Sequence, residues 1–398
     1  MSVSVLNTTA SLTGKTLAKL EDSQTFTGAK TFDLGASAPF VVVSGAAKVA
    51  NLDADKLDGE EATDFHDAAQ LTGVLPAAVI AADPNADRVV FWDDSASAFA
   101  YLELAGLAIR TTQLVLAGAI PNGRLTLTTA TPITTADVTG ATTLYYALYG
   151  GNKIALYNGT EWENFEIAEL SIAVPATTAT GYDVFVDYNS GTPVLAVTAW
   201  TNLTTRATAL TTQDGVLVLT GTLGKRYVGS FRTTGVSGQT EDSAVKRYVW
   251  NYYRRADRPL RRTETTATWT YTTSTWRQAN GATANQVEVF IGVQEDAVSV
   301  TLGGAALNTS GVQVGIGIGL DSTSSAASSG AIGGFAVTNA SAAVPLSTVL
   351  YHGFPGLGHH TFTWLERSQA AGTTTWYGVD SPNGYSNVSN GLIGMVKA

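Results

Sequence analysis

Apolar and polar positions from residue 111 to about 243 follow a short, strand-like rhythm. The segments RLTLTTATPI, TTLYYALY, KIALYNGTEWENFEI, YDVFVDYNSGTPVLAVTAW and GVLVLTGTLGKRYVGSFRTT alternate or run apolar between Gly, Asn, Asp and Pro. Short strands at this spacing predict a β-sandwich or barrel. Asn158-Gly159 carries a hairpin signal, and Asn189-Ser190-Gly191 marks a second, longer turn. From 256 to 398 the pattern is again β: TATWTYTTSTWRQA, NQVEVFIGVQE, VSVTLGG, VQVGIGIGL, HHTFTWLERS and TTTWYGV. About eight strands with Gly-rich turns predict a jelly-roll-like sandwich. In VGIGIGL, Gly315, Gly317 and Gly319 alternate with aliphatic residues, which leaves one face bare enough for another backbone or sheet to approach.

One segment breaks the rhythm. In EDSAVKRYVWNYYRR (241–255), Val245, Tyr248, Val249 and Tyr252 fall at helical spacing. Acidic residues open the segment and arginines close it, as a helix dipole favours, so one helix is predicted here, ended by Asp257 to Pro259. Upstream, residues 40–110 read as an extended piece, a turn at Asp83-Pro84-Asn85 and a hairpin turning at Asp93-Asp94-Ser95-Ala96-Ser97. Residues 1–39 are polar and cannot bury a core alone. The chain thus divides at 1–39, 40–110, a β-sandwich middle domain at 111–243, a basic helix and linker at 244–262, and a sandwich at 263–398.

Composition narrows the reading. No cysteine is present among 398 residues, so disulfides and thiolate metal sites are excluded and durability must come from β-pairing and oligomerisation. Charged residues make up 14%, against about a quarter in ordinary globular chains. Threonine keeps outward strand faces wet without charge. The net charge of -10 opposes general nucleic-acid binding, which needs cations to replace phosphate counterions. MSVSVLNTTASLTGK lacks a basic stretch followed by an apolar one, and no apolar run nears the ~20 residues that span a bilayer, so neither a secretory signal nor membrane insertion is expected.

Four clusters could carry chemistry. Seven acidic groups lie between Asp53 and Asp67, but an EF-hand register starting at Asp53 meets Leu57 and Asp58 where an oxygen ligand and Gly are required. His352, His359 and His360 are metal-ligand types, yet adjacent histidines on a strand point to opposite faces. Glu161, Glu163 and Glu166 beside Trp162 and Phe165 could form a sugar-cleaving pair, without the repeat of a β-helix depolymerase. Lys246, Arg247, Arg254, Arg255, Arg258, Arg261 and Arg262, interleaved with aromatics, suit either phosphate binding or an interface whose arginines stack on rings. No GxSxG, HExxH, Walker or GxGxxG sequence is present in its required context, and neither catalysis, a metal nor a cofactor is expected.

Residues 40–80 supply a different kind of clue. Val49, Asn51, Leu52, Asp53, Ala54, Asp55, Leu57, Asp58 and Gly59, then Asp64-Phe65 and Gly73-Val74-Leu75-Pro76-Ala77-Ala78, make a VxNLxADxLDG…DF…GxLPAA series. It resembles a segment of tail-fibre and related appendage proteins of tailed bacteriophages, and QTFTGAKTF resembles their N-terminal stretch. Residues 120–398, with NKIALYNGTEW, EDSAVKRYVWNYY and TATWTYTTSTWRQAN as landmarks, resemble a module at the ends of phage and prophage structural proteins.

The resemblance implies a virion component made in a host cytoplasm, an intertwined homotrimer. Residues 1–39 would attach to other virion proteins and 40–110 would form a shaft or collar. A tail fibre that binds a host-surface glycan or protein is expected, with a capsid decoration or head fibre, or a glycan-degrading tailspike, as alternatives. Trp364, Trp376, Tyr377 and Tyr385 are the candidate surface aromatics for a ligand. Tyr248, Tyr252, Arg254, Arg255, Gly315, Gly317 and Gly319 are the candidate interface between chains.

Overall fold

Val, Ile, Thr, Tyr and Trp recur through the chain, and the computed structural model pairs them into largely antiparallel sheets. It describes residues 120–398 apart from 328–330, 333, 339–343, 347 and 380–388, together with the backbone of two hairpins between residues 89 and 116. The hairpin expected around Asp93–Ser97 is formed by Val89–Asp93 and Ala98–Leu102. The acidic cluster of Asp53 to Asp67 lies outside the described residues. The protein is mainly β, and the helical turns among the described residues are two single 3-10 turns, Asn189–Gly191 and Ala279–Gly281.

The first core is built on a six-stranded sheet. Its order is Val194–Ala199, Gly181–Asp187, Thr222–Arg232, Val216–Leu219 and Leu210–Gln213, with Val249–Asn251 added alongside Thr222–Arg232. The sheet packs on Leu170–Ala173, Thr143–Ala147 and Arg124–Thr126, and on the hairpin of Lys153–Tyr157 and Trp162–Glu166. That hairpin turns at Asn158 as its sequence signals: the Asn158 carboxamide oxygen accepts from the backbone N–H groups of Thr160 and Glu161, both at 3.0 Å. Side chains of Gly181–Asp187 alternate. Tyr182, Val184 and Val186 enter this core, while Asp183 and Phe185 face the second half of the body.

The second core lies between three sheets. One has the order Phe335–Val337, Gln313–Leu320, Gly358–Ser368, Gln286–Ile291, Lys246–Arg247, Thr240–Asp242 and Val138–Ala141, with Arg277–Gln278 added beside Gly358–Ser368. Facing it are a five-stranded sheet, Asp257–Thr263, Gly391–Lys397, Val298–Gly303, Val349–Gly353 and Ala331–Ile332, and a four-stranded one, Thr268–Thr270, Thr374–Tyr377, Ala305–Asn308 and Val344–Pro345. Val287, Val300, Ile316, Phe362 and Trp364 fill the sandwich-like interior. Because Val138–Ala141 joins the same sheet as Gln313–Leu320, hydrogen bonding runs without a break across residues 243 and 262.

The helix expected within 241–255 is absent and must be corrected. Thr240–Asp242, Lys246–Arg247 and Val249–Asn251 are strands. Residues 247–251 are buried in succession: Val249 enters the first core, while Tyr248 and Trp250 pack on aromatics of the other face. A strand covered on both faces reads as a continuous apolar run, and periodicity cannot tell that run from a buried helix. Its β-branched and aromatic composition was the better guide.

Gly315, Gly317 and Gly319 do permit a close approach, but the approaching atoms belong to the same chain. A Cβ on Gly315 would meet the Phe335 ring at 2.7 Å, one on Gly317 would meet Ala326 at 3.0 Å, and one on Gly319 would lie 2.1 Å from the Ser322 carbonyl oxygen. All three are buried within one copy, which removes them as contacts between chains. We expect Gly319→Ala to lower stability by about 2 kcal/mol or more in thermal or denaturant unfolding, since backbone must move. Gly303→Ala, where a Cβ meets nothing within 4 Å, should stay within about 0.5 kcal/mol of the parent.

Candidate functional site

Three of the expected surface aromatics are interior and are corrected here. Trp364 and Trp376 are 1% exposed and Tyr377 is 8% exposed. Trp364 and Trp269 meet edge to face at 5.8 Å, and the Trp376 indole N–H donates to the Tyr271 carbonyl at 3.1 Å. Large aromatics on alternating strands are core by default, and these obey that rule. Tyr385 lies outside the described residues.

The basic segment is dispersed by its strands rather than gathered on one face. Arg247 and Arg258 are buried around Asp242, at 3.2 Å and 2.7 Å from its two carboxylate oxygens. Arg247 also donates to the Pro259 carbonyl, and Arg258 to the Thr134 carbonyl at 2.7 Å. Burial lowers the Arg247 pKa, against the pull of Asp242. Arg124 approaches from the other side, donating to the carbonyls of Pro132, Arg254 and Ala398; burial and the nearby Arg258 bring its pKa down to about 10. Lys246 pairs with Glu241 at 3.3 Å and Arg262 donates to Asn285 at 3.2 Å. No continuous basic surface remains for a phosphate backbone among these groups.

Where Val249–Asn251 runs out, the chain turns and opens a surface recess of about 470 Å³. Tyr252, Tyr253, Arg254, Arg255, Glu295, Asp296 and Lys397 line it. The turn is fixed by Arg254 at φ 52°, by Tyr252 N–H donating to the Val228 carbonyl, and by Arg254 donating to Asn122 at 2.8 Å. Tyr252 and Tyr253 stand edge to face at 4.7 Å, and the Arg226 guanidinium lies 4.8 Å from the Tyr253 ring centre. Arg255 sits over Trp250 at 5.2 Å and bridges Glu295 and Asp296, with Lys397 3.8 Å from Asp296. Burial, then the Glu295 charge, raises the Tyr252 pKa. Two half-buried rings beside paired ions can stack on a flat apolar surface and exchange hydrogen bonds with hydroxyl or amide groups. Three of the expected interface residues, Tyr252, Arg254 and Arg255, are therefore brought together here. Tyr248 is not: it is 2% exposed and donates its hydroxyl to Glu288.

The remaining candidates resolve into structural pairs. His359 lies 2.8 Å from Glu288, His360 lies 2.8 Å from Asp321, and His352 hydrogen-bonds Ser299 at 2.6 Å. Among the described residues no three His, Asp or Glu side chains are placed to hold a metal ion. Glu163 accepts from Asn158 at 3.3 Å, Glu166 lies 3.6 Å from Lys153, and Trp162 donates to Asp214 at 3.1 Å.

Several buried ionisable groups were not singled out from the sequence. Asp183 is bound by Arg206 and Ser230, both at 2.7 Å, and burial raises its pKa. For Glu288, burial acts upward, but hydrogen bonds involving His359, Tyr248 and Gln286 outweigh it and hold the carboxyl at about 2. Glu366, fully buried, accepts from Trp269 at 2.7 Å and from Arg277 at 2.8 Å; burial nevertheless pushes it up to about 7. The available signal was a charged residue inside a strand of a sparsely charged chain, as in GYDVFVD and HHTFTWLERS.

Asp242→Asn should destabilise the protein by about 3–5 kcal/mol in denaturant unfolding, because two buried guanidinium groups lose their counter-charge. Glu366 gives a pH signature of opposite sign to an ordinary ion-paired carboxylate. Its folded pKa of about 7 exceeds the ordinary 4.5, so the folded state keeps a proton that the unfolded state has lost, and stability falls as pH rises through this window. Thermal melts between pH 4.5 and 8 should show Glu366→Gln gaining on the parent by up to about 3 kcal/mol towards the alkaline end. A scan of the chain against protein-family models returns no match, and a search of curated proteins finds none that matches it.

Proposed function

We propose that the protein is a structural component of a tailed-phage particle, a homotrimeric tail fibre that attaches the virion to its host surface. The Tyr252–Lys397 recess carries the reading: rings and paired ions are held on a stiff, cysteine-free β body with its arginines already fixed. Preorganised aromatic and arginine groups bind a partner with little ordering cost. The VxNLxADxLDG…GxLPAA series of residues 40–80 supports a particle component, and residues 1–39 would join it to other virion proteins. The body acts as an adhesin rather than an enzyme: of the glutamates around Trp162, Glu163 accepts from Asn158 and Glu166 pairs with Lys153.

Gold labelling of intact virions with an antibody against residues 256–398 should mark the tail or its tip. Label spread over the capsid would make the protein a head decoration. With tail label established, Tyr253→Ala should weaken binding of the purified protein to host cells by roughly tenfold, the loss of about 1.4 kcal/mol.

A further inference from the structure

The outer face of the five-stranded sheet carries exposed apolar side chains on adjoining strands. Strand alternation buries Leu260, Leu392 and Val396 and turns their neighbours outward. Ile393, Met395 and Leu350 are 61%, 45% and 40% exposed, an unusual density of bare apolar side chains for adjoining strands. The register places Ile393 between Arg261 and Thr301, with Leu350 beyond Thr301, and Met395 between Pro259 and Ser299. Shallow recesses of about 480 Å³ and 240 Å³ flank these side chains, one reaching Arg261 and the other Asp257.

The edge strand carries opposite charges at its two ends. Asp257 and Arg261 both point outward, separated by the uncharged Pro259. Lys397 stands across from Asp257 but lies 3.8 Å from Asp296. Neither Asp257 nor Arg261 has a side-chain ion pair or hydrogen bond among the described residues. Met395 lies midway between the acid and the base, so turning this face end for end about Met395 exchanges the two charges. A two-fold operator supplies that reversal and repeats each favourable pair twice.

We propose that this face binds the same face of a second copy of the chain, with the strands of the two copies antiparallel. Asp257 of each copy then meets Arg261 of the other, Met395 meets its own counterpart, and Ile393, level with Arg261, lies on the aliphatic stem of the other copy's Lys397, which is level with Asp257. The midpoint of Asp257 and Arg261 is Pro259, paired with Met395, so the two-fold axis passes close to Met395. The contact stands apart from the attachment reading and from the number of chains that residues 1–110 bring together. It doubles whatever that number is.

Light scattering on the full chain tests the contact. The parent should have twice the mass of Met395→Asp, which sets two carboxylates against each other at the axis, with unchanged circular dichroism. Asp257→Arg and Arg261→Asp should each halve the mass, and the D257R/R261D double variant, which restores opposite charges, should recover it. Because the chain has no cysteine, Met395→Cys provides a second readout. Mild oxidation should give a covalent dimer on a non-reducing gel, whereas Val236→Cys, at a site 56% exposed elsewhere, should not. Equal masses for the parent and Met395→Asp, or a double variant no heavier than the singles, would overturn the proposal. So would a fall to one third of the parent mass, which marks a three-fold contact, or a Met395→Cys chain that stays uncoupled.

Discussion

Asp242 pins two facing sheets of the second core together and, through Arg258 and Thr134, ties them to the first half. One carboxylate is shared by Arg247 on its own sheet and Arg258 on the facing sheet, and Arg258 also reaches back to Thr134. Removing charges from water costs several kcal/mol per ion, so such a cluster is tolerable only when every donor has an acceptor. The chain meets that demand with backbone carbonyls as well as the carboxylate. Pro132, Thr134, Pro259 and Ala398 each accept from a buried guanidinium. Around the cluster, Asn251 acts as a substitute strand: its carboxamide accepts from Leu125 N–H at 2.6 Å and donates to the Leu125 carbonyl at 3.2 Å.

The same seam is closed on its other side by aromatic packing. Trp200 and Phe290 meet at 5.0 Å, and Gly181 leaves the room that Phe290 fills, since a Cβ there would lie 2.6 Å from its ring. Arg206 lies over Trp200 at 4.6 Å while binding Asp183 from the first half and the Gly292 carbonyl from the second. These contacts explain why Tyr248, which the sequence groups with Val245, Val249 and Tyr252 as one face of a helix, is buried between two strands, with Trp250 buried in the second. The surface they cover exists only after both halves have come together.

The strands and the Asn158 hairpin were legible because period-two patterning and turn chemistry are local signals. The segment 241–255 was not, because burial on both faces erases the period that distinguishes a strand from a helix. The Gly315–Gly319 face was read correctly as a site of close approach, but nothing local says which part of the chain approaches; Phe335, Ala326 and Ser322 do. For the recess, Tyr252, Arg254 and Arg255 were visible as an aromatic and basic group. Glu295, Asp296 and Lys397 were not, since they arrive from the loop before Val298–Gly303 and from the strand Gly391–Lys397. Trp364 and Trp376 show the converse error: an aromatic's type suggests a ligand platform, but the sheet it faces decides.

Arg124 binds the carbonyl of Ala398, and Ala256 and Ala398 exchange backbone hydrogen bonds in both directions. The earliest strand of the first core is therefore completed by residues more than two hundred positions later. A chain emerging from the ribosome can form the Asn158 hairpin at once, but this closure must wait until the whole 124–398 stretch has been synthesised. Topology of this kind folds slowly, because loop entropy is spent before distant pairings return it. During that delay the strand Val249–Asn251 and the apolar edges beside it stand open to neighbouring nascent chains. Yield in the cell should accordingly depend more on temperature and expression rate than on the stability of the finished fold.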